Sequence, residues 1–512
     1  MAGLIAAACH ASGAASASAP AARRYRDATK HTPESVRADT FRLDWQNKPT
    51  LYRTYAGAET VALPAPHLLT QAALDALVAR APAPAGAFDL DALGTLLFLT
   101  GGITRTLPSG RDIRATAAAG ALYPNEIYVV AGDLPGLPAG VYHYDPKGAQ
   151  LARLRRGDWR TVVAEAADDA EVRTAPATIV MTGILWRSAW KYRERAYRHL
   201  YWDAGMMLAN LLAAANATGM PAGVDAAFVD AQVDRLVGVD GLHEATIALV
   251  RIGSGAPPPV ALPAADMPAL TVQASALSPH PLEYPQALRY HAASQLADRT
   301  AVRTLRAARV ARPTLRPRGA AQRLAARSDA ASLDAVVRRR SSTRRFAQRP
   351  ISAVDLGTVL ALPARAVPVD FLRASGSLIE TYIIVHAVTD AAPGAYYYRA
   401  SDQRLEQLAA GDFRNTAGFL SLNQALARDA SVVIYYMADL TRIGSAFGER
   451  GYRLAQLEAG LRAGRAYLAA YALGRGASGL TFFDDEVTRF FSPHAAALEP
   501  LLVVAVGAPR KR

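Results

Sequence analysis

The chain has 512 residues, 51% of them apolar, enough to bury two full cores. Its one cysteine, Cys9, excludes a disulfide framework and leaves no thiol cluster for zinc or iron–sulfur, so no metal is expected. The net charge of +13 resembles a nucleic-acid signature only until it is located: fourteen arginines against Asp329 and Asp334 fall between Arg299 and Arg345, and the remainder is nearly neutral.

Residues 1–22 are Ala/Ser-rich and are expected to be disordered. No basic region precedes their short apolar start, so a secretory signal is not expected. No run of about 18 apolar residues occurs, and the expected compartment is the cytoplasm. An aromatic and charged segment runs from Arg23 to about Leu63, and Pro82 to Gly86 reads as a loop. Helical spacing at Leu90, Leu93, Leu96 and Leu97 ends at Gly101–Gly102, a C-cap. Strands are predicted at Glu126–Ala131, Val141–Tyr144 and Ala177–Ile184. A long, largely apolar helix follows from about Arg195 to Thr218, stopped by Gly219 and Pro221, and then a strand at Ala245–Ile252. Residues 254–330 begin Pro-rich and continue into the arginine-rich stretch. The plain meaning of that charge run is a solvated helix and linker; an acidic peptide is a second reading, and without interleaved aromatic residues nucleic acid is not expected.

From there the plan repeats: a helix at Ala353–Leu362, strands at Tyr382–Val388, Ala395–Tyr398 and Ser431–Tyr436, a helix at Gly451–Leu473 and a strand at Leu501–Val506. The repetition reaches individual residues. Tyr142, Tyr144, Leu151, Leu154, Gly157, Asp158 and Arg160 recur 254 positions later as Tyr396, Tyr398, Leu405, Leu408, Gly411, Asp412 and Arg414. Glu194, Arg195, Tyr197, Arg198, Gly205 and Gly219 recur 255 positions later as Glu449, Arg450, Tyr452, Arg453, Gly460 and Gly474. A period this long is a whole domain, so the chain reads as a homodimer fused into one polypeptide. The predicted class is α+β: domains at 23–253 and 331–512, each a mostly antiparallel sheet with flanking helices and a long central helix, packed as an intramolecular pseudo-dimer.

Three stretches carry a family resemblance: RYRDATKHTPESVR from Arg24 to Arg37, GALYPNE from Gly120 to Glu126, and KYRERAYR from Lys191 to Arg198. Together they resemble the SagB/ThcOx-type dehydrogenases of the FMN-dependent nitroreductase superfamily. The second copy resembles the same superfamily through RRSSTRRF from Arg339 to Phe346, Ser375–Gly376–Ser377–Leu378, and the closing Glu499–Pro500 and Val506–Gly507. The resemblance implies FMN held at the interface of the two copies. It further implies azoline-to-azole oxidation of a ribosomal peptide, with oxygen regenerating the flavin and other peptide-maturation enzymes as partners.

Arg339, Arg340, Ser341, Thr343 and Arg344 supply forked donors and hydroxyls suited to a phosphate dianion. Arginines that merely continue the basic linker would look the same. In the first copy only Arg105, or Lys30 and Arg26, stand as candidates for that role. The small-residue loop Gly120, Ala121, Leu122, Tyr123 and Pro124 lets backbone amides approach a ring closely, or is an ordinary turn into a strand. Glycines 474, 476 and 479 could present N–H groups to a flavin edge, or cap the preceding helix. Lys191 and Tyr192 match the pair that the resemblance marks as catalytic. Desolvation can lower a lysine's pKa until it serves as a base, and a tyrosine can orient substrate or relay the proton. The second copy has Ala446–Phe447 there and lacks the Tyr–Pro pair, while it alone keeps the arginine cluster. One competent FMN site per chain is therefore expected, built from both copies. The competing expectations are an NAD(P)H-dependent small-molecule flavin reductase and a degenerate pair that binds a peptide or partner without catalysis.

Overall fold

Strands form here where β-branched and aromatic runs have both faces covered. The computed structural model describes residues 20–78, 80–81, 88–328, 331–373 and 376–510. Asn125–Ala131 and Ala177–Ile184 are buried along their whole length and pair antiparallel at the centre of a seven-stranded sheet. Across that sheet the order is Glu59–Ala62, Gln150–Arg156, Gly140–Asp145, Asn125–Ala131, Ala177–Ile184, Glu244–Ile252 and Ala222–Asp225, every pair antiparallel. The second half repeats it with Ala321–Arg323, Arg404–Ala410, Gly394–Arg399, Glu380–Val385, Val432–Ala438, Glu499–Gly507 and Gly476–Leu480, again all antiparallel. The chain is thus two α+β units of one topology.

The long helices Ala196–Ala217 and Arg450–Ala472 pack on each other, and both are buried nearly all round, the second together with its charged residues. They cross at the repeated glycines. A Cβ on Gly205 would lie 2.5 Å from Leu461 N, and one on Gly460 would lie 2.7 Å from Trp202 Cα, so only glycine permits this approach of two backbones.

The repeated charged residues are also explained at this interface. Arg195 and Arg198 grip Asp484 of the other copy at 2.8 and 2.6 Å, and their counterparts Arg450 and Arg453 grip Asp230 at 2.5 and 3.2 Å. All six side chains are buried. Glu194 accepts from Gln286 N and Ala287 N at the start of helix Pro285–Ala293, and Glu449 accepts from Ala21 N and Ala22 N at the start of helix Ala21–Ala28. Carboxylates satisfy the free N–H groups and the positive dipole end of a helix there. Tyr25 and Tyr290, from the same two helices, stack at 5.2 Å and donate to Glu194 O and Glu449 O.

Most predicted elements stand within one or two residues of their expected ends. Helix Leu90–Gly101 starts on Asp89, whose carboxylate accepts from Ala92 N. The strands Gln150–Arg156, Ala222–Asp225 and Gly476–Leu480 were not foreseen. Of the segment expected to be disordered, residues 1–19 with Cys9 lie outside the described residues, and Ala21 and Ala22 instead open a helix capped by Glu449. The predicted loop Pro82–Gly86, Asp329 and Ser375 also lie outside them.

The basic stretch is more than a solvated connection. On helix Arg299–Ala307, Arg299 and Arg303 pair with Asp168, while Arg306 bridges Asp225 of the first copy and Asp370 of the second. Asp370 also accepts from Ala226 N and Ala227 N, and Val224 bridges Val369, so the helix fastens a seam between the copies. Among the described residues, no helix is long and apolar enough to cross a membrane.

Candidate active site

The loop from Arg114 to Pro124 is held in a conformation that side chains disfavour. Gly120, Ala121 and Tyr123 all have positive φ, at 62°, 56° and 47°, and two of them are not glycine. Such strain persists only where neighbours over-determine it. At one end Ala119 N donates to both oxygens of the buried Asp203, at 3.1 and 3.0 Å. At the other, the fully buried Arg187 donates to Tyr123 O at 2.9 Å and to Glu126 at 2.6 Å. Leu122 and Tyr123 are buried, and Pro124 O accepts from Ile184 N.

This loop lies directly on Lys191 and Tyr192, which end helix Leu185–Tyr192. A Cβ on Gly120 would sit 2.8 Å from Tyr192 Oη and 3.4 Å from Lys191 Nζ, so glycine is required for space as well as for φ. Lys191 Nζ stands 5.4 Å over the Tyr192 ring, and that ring meets His199 edge-on at 4.1 Å. Burial, then the positive charge of Arg344, lower the Lys191 pKa below the ordinary lysine value. Burial, then the charge of Asp203, raise that of Tyr192, although Arg344 opposes the rise. Asp203 is itself pushed up to about 8 by burial, against the pull of the Ala119 N–H.

Arg344 belongs to the other copy, so the two motif sets meet across the interface. Arg340 is buried and donates to Ala115 O at 3.0 Å and Arg114 O at 2.6 Å; Arg105 answers from the first copy, donating to Arg338 O and Arg340 O. The expected phosphate set therefore divides. Arg340 is a strut that fixes the first copy's loop, because its donors are spent on backbone carbonyls. Arg339 gives Nη2 to Tyr471 O at 2.6 Å, at the end of the long helix. Ser341 and Thr343 share the Tyr471 hydroxyl at 3.4 and 3.2 Å, and Arg344 is exposed with no acidic partner among the described residues.

The glycines following helix Arg450–Ala472 form an edge strand against this motif, Thr343 N donating to Ala477 O. Gly476 faces the Thr343 side chain, 3.0 Å from where its own Cβ would be, and Gly479 N donates to Tyr467 Oη. Gly474 takes φ 69° just past the helix end. Gly474 thus stands at the expected helix stop, whereas Gly476 is buried and the Gly479 N–H, expected to face a flavin edge, is taken by Tyr467. The alternative first-copy candidates are engaged otherwise: Arg26 pairs with Glu499 and Lys30 with Asp485 at 2.7 Å.

At the pseudo-symmetric position, Phe447 packs on Phe371 and Arg462 is drawn into Glu458 and Ser377. Asp203, Arg187, Tyr467 and Tyr471 went unnoticed in the sequence. For Asp203 there was a signal, since it stands 255 positions before Glu458, an acid at the same place in the repeat.

Comparison with known proteins gives the family and the fold. The model of the family described as "Nitroreductase family" matches residues 66–254 and again 337–508. A candidate nitroreductase of Methanocaldococcus jannaschii, MJ1384, is 27% identical over 146 residues, 28% of this chain and 72% of that protein. The trifolitoxin-processing protein TfxB of Rhizobium leguminosarum bv. trifolii is 31% identical over 151 residues, 28% of this chain and 40% of that protein. The crystal structure of a candidate nitroreductase from Anabaena variabilis superposes with a TM-score of 0.77 at 26% identity, covering 96% of this chain and 100% of that one.

Proposed function

The chain belongs to the nitroreductase family, and on that premise we propose that it is an FMN-dependent, SagB-type oxidoreductase that dehydrogenates azoline rings of a peptide to azoles. The observation that carries this reading is the Gly120 loop lying on Lys191 and Tyr192 of the first copy, close enough to Arg344 of the second for its charge to act on both. The name of the trifolitoxin-processing relative supports a peptide as the substrate class. Other maturation enzymes of the same peptide are the fitting partners.

The residues present fit FMN. Arg344, free of acidic partners among the described residues, with the Ser341 and Thr343 hydroxyls and the remaining donors of Arg339, suits a phosphate dianion. The exposed Gly479, whose Cβ side meets nothing nearer than Tyr467 Oη at 3.7 Å, suits a flat ring edge laid on backbone. Bound there, FMN would supply the acceptor for the electron pair that dehydrogenation removes.

The chain's own groups handle the proton. Lys191, its pKa lowered by burial and by Arg344, is the base that takes the proton from the ring carbon. Tyr192, its pKa raised, stays protonated and donates a hydrogen bond to the substrate beside Gly120. The strained loop packs against Tyr192, which is half-buried, while Lys191 keeps a solvent-exposed face.

The test is bound flavin together with turnover of a synthetic thiazoline peptide. One FMN per chain is expected, with turnover lost and flavin retained in Lys191→Ala. Two FMN per chain would refute the shared site. Rapid bleaching of the flavin by NADPH with no peptide turnover would transfer the reading to a small-molecule reductase, and no flavin at all to a binding protein.

A further inference from the structure

The two copies differ around one buried pair of acids. Asp203 and Glu458 occupy the same place in the two long helices, and each receives a backbone N–H from the loop of its own copy: Ala119 N to Asp203, and Leu378 N to Glu458 at 2.8 Å. Four residues on, the helices diverge. In the second copy Arg462 donates to Glu458 at 3.0 Å and to Ser377 Oγ at 2.5 Å, while Ser377 Oγ also donates to Glu458 at 2.6 Å. Carboxylate, arginine and hydroxyl there close on one another, and no group is left over.

The first copy has Met207 at the arginine's position. Asp203 is 4% exposed and has no cationic partner among the described residues. A cavity of about 10 Å³, the size of one water, separates it from Met207, Thr116 and Asn125, whose Oδ1 is buried without a partner. The Asp203 carboxyl is therefore committed to one task, the Ala119 N–H, which is the first fixed point of the loop that lies on Tyr192 Oη and Lys191 Nζ.

We propose that Asp203 is the positioning residue that seats the Gly120 loop on Lys191 and Tyr192, and that methionine rather than arginine at position 207 leaves its carboxyl free for that loop. The proposal rests on the catalytic pair assigned above. Asp203 acts through the loop, since the atom it holds is a backbone nitrogen one residue before Gly120.

Two readouts separate this proposal from the assignment of function. The first is acylation of Lys191 by acetic anhydride in the full-length chain, measured by peptide mass spectrometry against exposed Lys48. The second is turnover of the thiazoline peptide at measured FMN content. Asp203→Ala frees the loop: the ratio of Lys191 to Lys48 acylation departs from that of the wild type, and turnover falls by about 100-fold, the cost of a misplacement near 1 Å, with flavin retained. Asp203→Asn, whose amide oxygen still accepts from Ala119, recovers most of both. Met207→Arg draws Asp203 into an ion pair as in the second copy and lowers turnover without loss of flavin. Wild-type acylation and turnover in Asp203→Ala would overturn the proposal, as would an Asn variant no better than the Ala variant or full activity in Met207→Arg. If the wild-type chain leaves the thiazoline peptide unchanged while the acylation pattern holds, the substrate assignment fails and the positioning role stands.

Discussion

Replacing Asp484 by Asn tests what joins the two copies. The carboxylate accepts from Arg195 at 2.8 Å, Arg198 at 2.6 Å and His31 N at 2.9 Å, all away from solvent. Neither guanidinium has a second acid, and Arg195 Nε and Nη2 and Arg198 Nε have no other partner. Burial alone would raise the carboxyl's pKa; Arg195 and then Arg198 outweigh it and bring it down to about 2. At about 1.4 kcal/mol per pH unit, that fall from the ordinary aspartate value is worth about 2.5 kcal/mol. Removing the anion also leaves two buried cations facing each other, so the expected loss is about 3–5 kcal/mol. Because the folded pKa is depressed, the contribution is complete above about pH 4 and disappears as pH falls toward about 2. Urea unfolding at pH 7 and at pH 3 reads both effects: the variant is less stable at pH 7, and the difference narrows in acid. A variant within about 0.5 kcal/mol of the native chain at pH 7, the range of a surface substitution, would refute the account of the interface, as would an undiminished difference at pH 3.

Three further outcomes follow from the same geometry. Gly120→Ala forces a methyl against Tyr192 Oη at φ 62°, and turnover of the thiazoline peptide is expected to fall by about 100-fold with flavin retained; native turnover would show that the loop does not touch the chemistry. Gly460→Ala gains about 1 kcal/mol of helix propensity but drives a methyl into the Trp202 backbone, a clash of up to about 3 kcal/mol, so a net loss near 2 kcal/mol is expected in urea and any stabilisation would contradict the crossing described. Arg344→Ala removes a charge that lowers the Lys191 pKa, so in FMN-saturated protein the rising limb of the pH–rate profile moves to higher pH; an unmoved limb would separate Arg344 from Lys191.

The repeat made the architecture legible, because two offsets of 254 and 255 place most buried elements of one copy on their counterparts, although the helices Leu90–Gly101 and Ala353–Ala364 stand further apart. What escaped were elements whose local pattern is masked by long-range partners. Gln150–Arg156 carries three arginines, and Arg155 is buried because its guanidinium reaches Leu236 O and Arg235 O, a pairing no local window contains. Ala222–Asp225 and Gly476–Leu480 are short and glycine-bearing, and such runs read as helix stops. In the candidate site, Lys191, Tyr192 and the Gly120 loop could be named through the family resemblance, and the structure brings them together. Arg340 and Arg344 could not be told apart, since burial and not identity decides which arginine holds a backbone and which is free. Asp203 was hidden inside an apolar helix, where only comparison with Glu458 makes an acid conspicuous.

The crossed caps, Glu194 on helix Pro285–Ala293 and Glu449 on helix Ala21–Ala28, bear on how such a molecule could be assembled at all. Were the two copies separate polypeptides with these same surfaces, random pairing would yield matched and mixed pairs alike, and only about half would be mixed. A matched pair of first copies would bring no arginine cluster, and a matched pair of second copies no Lys–Tyr pair. Joining them in one chain removes that lottery: each copy meets its complement at a local concentration on the order of millimolar, in a fixed one-to-one ratio, whatever the level of expression. The same linkage frees each half from having to work opposite itself, so that either can lose a motif its neighbour retains.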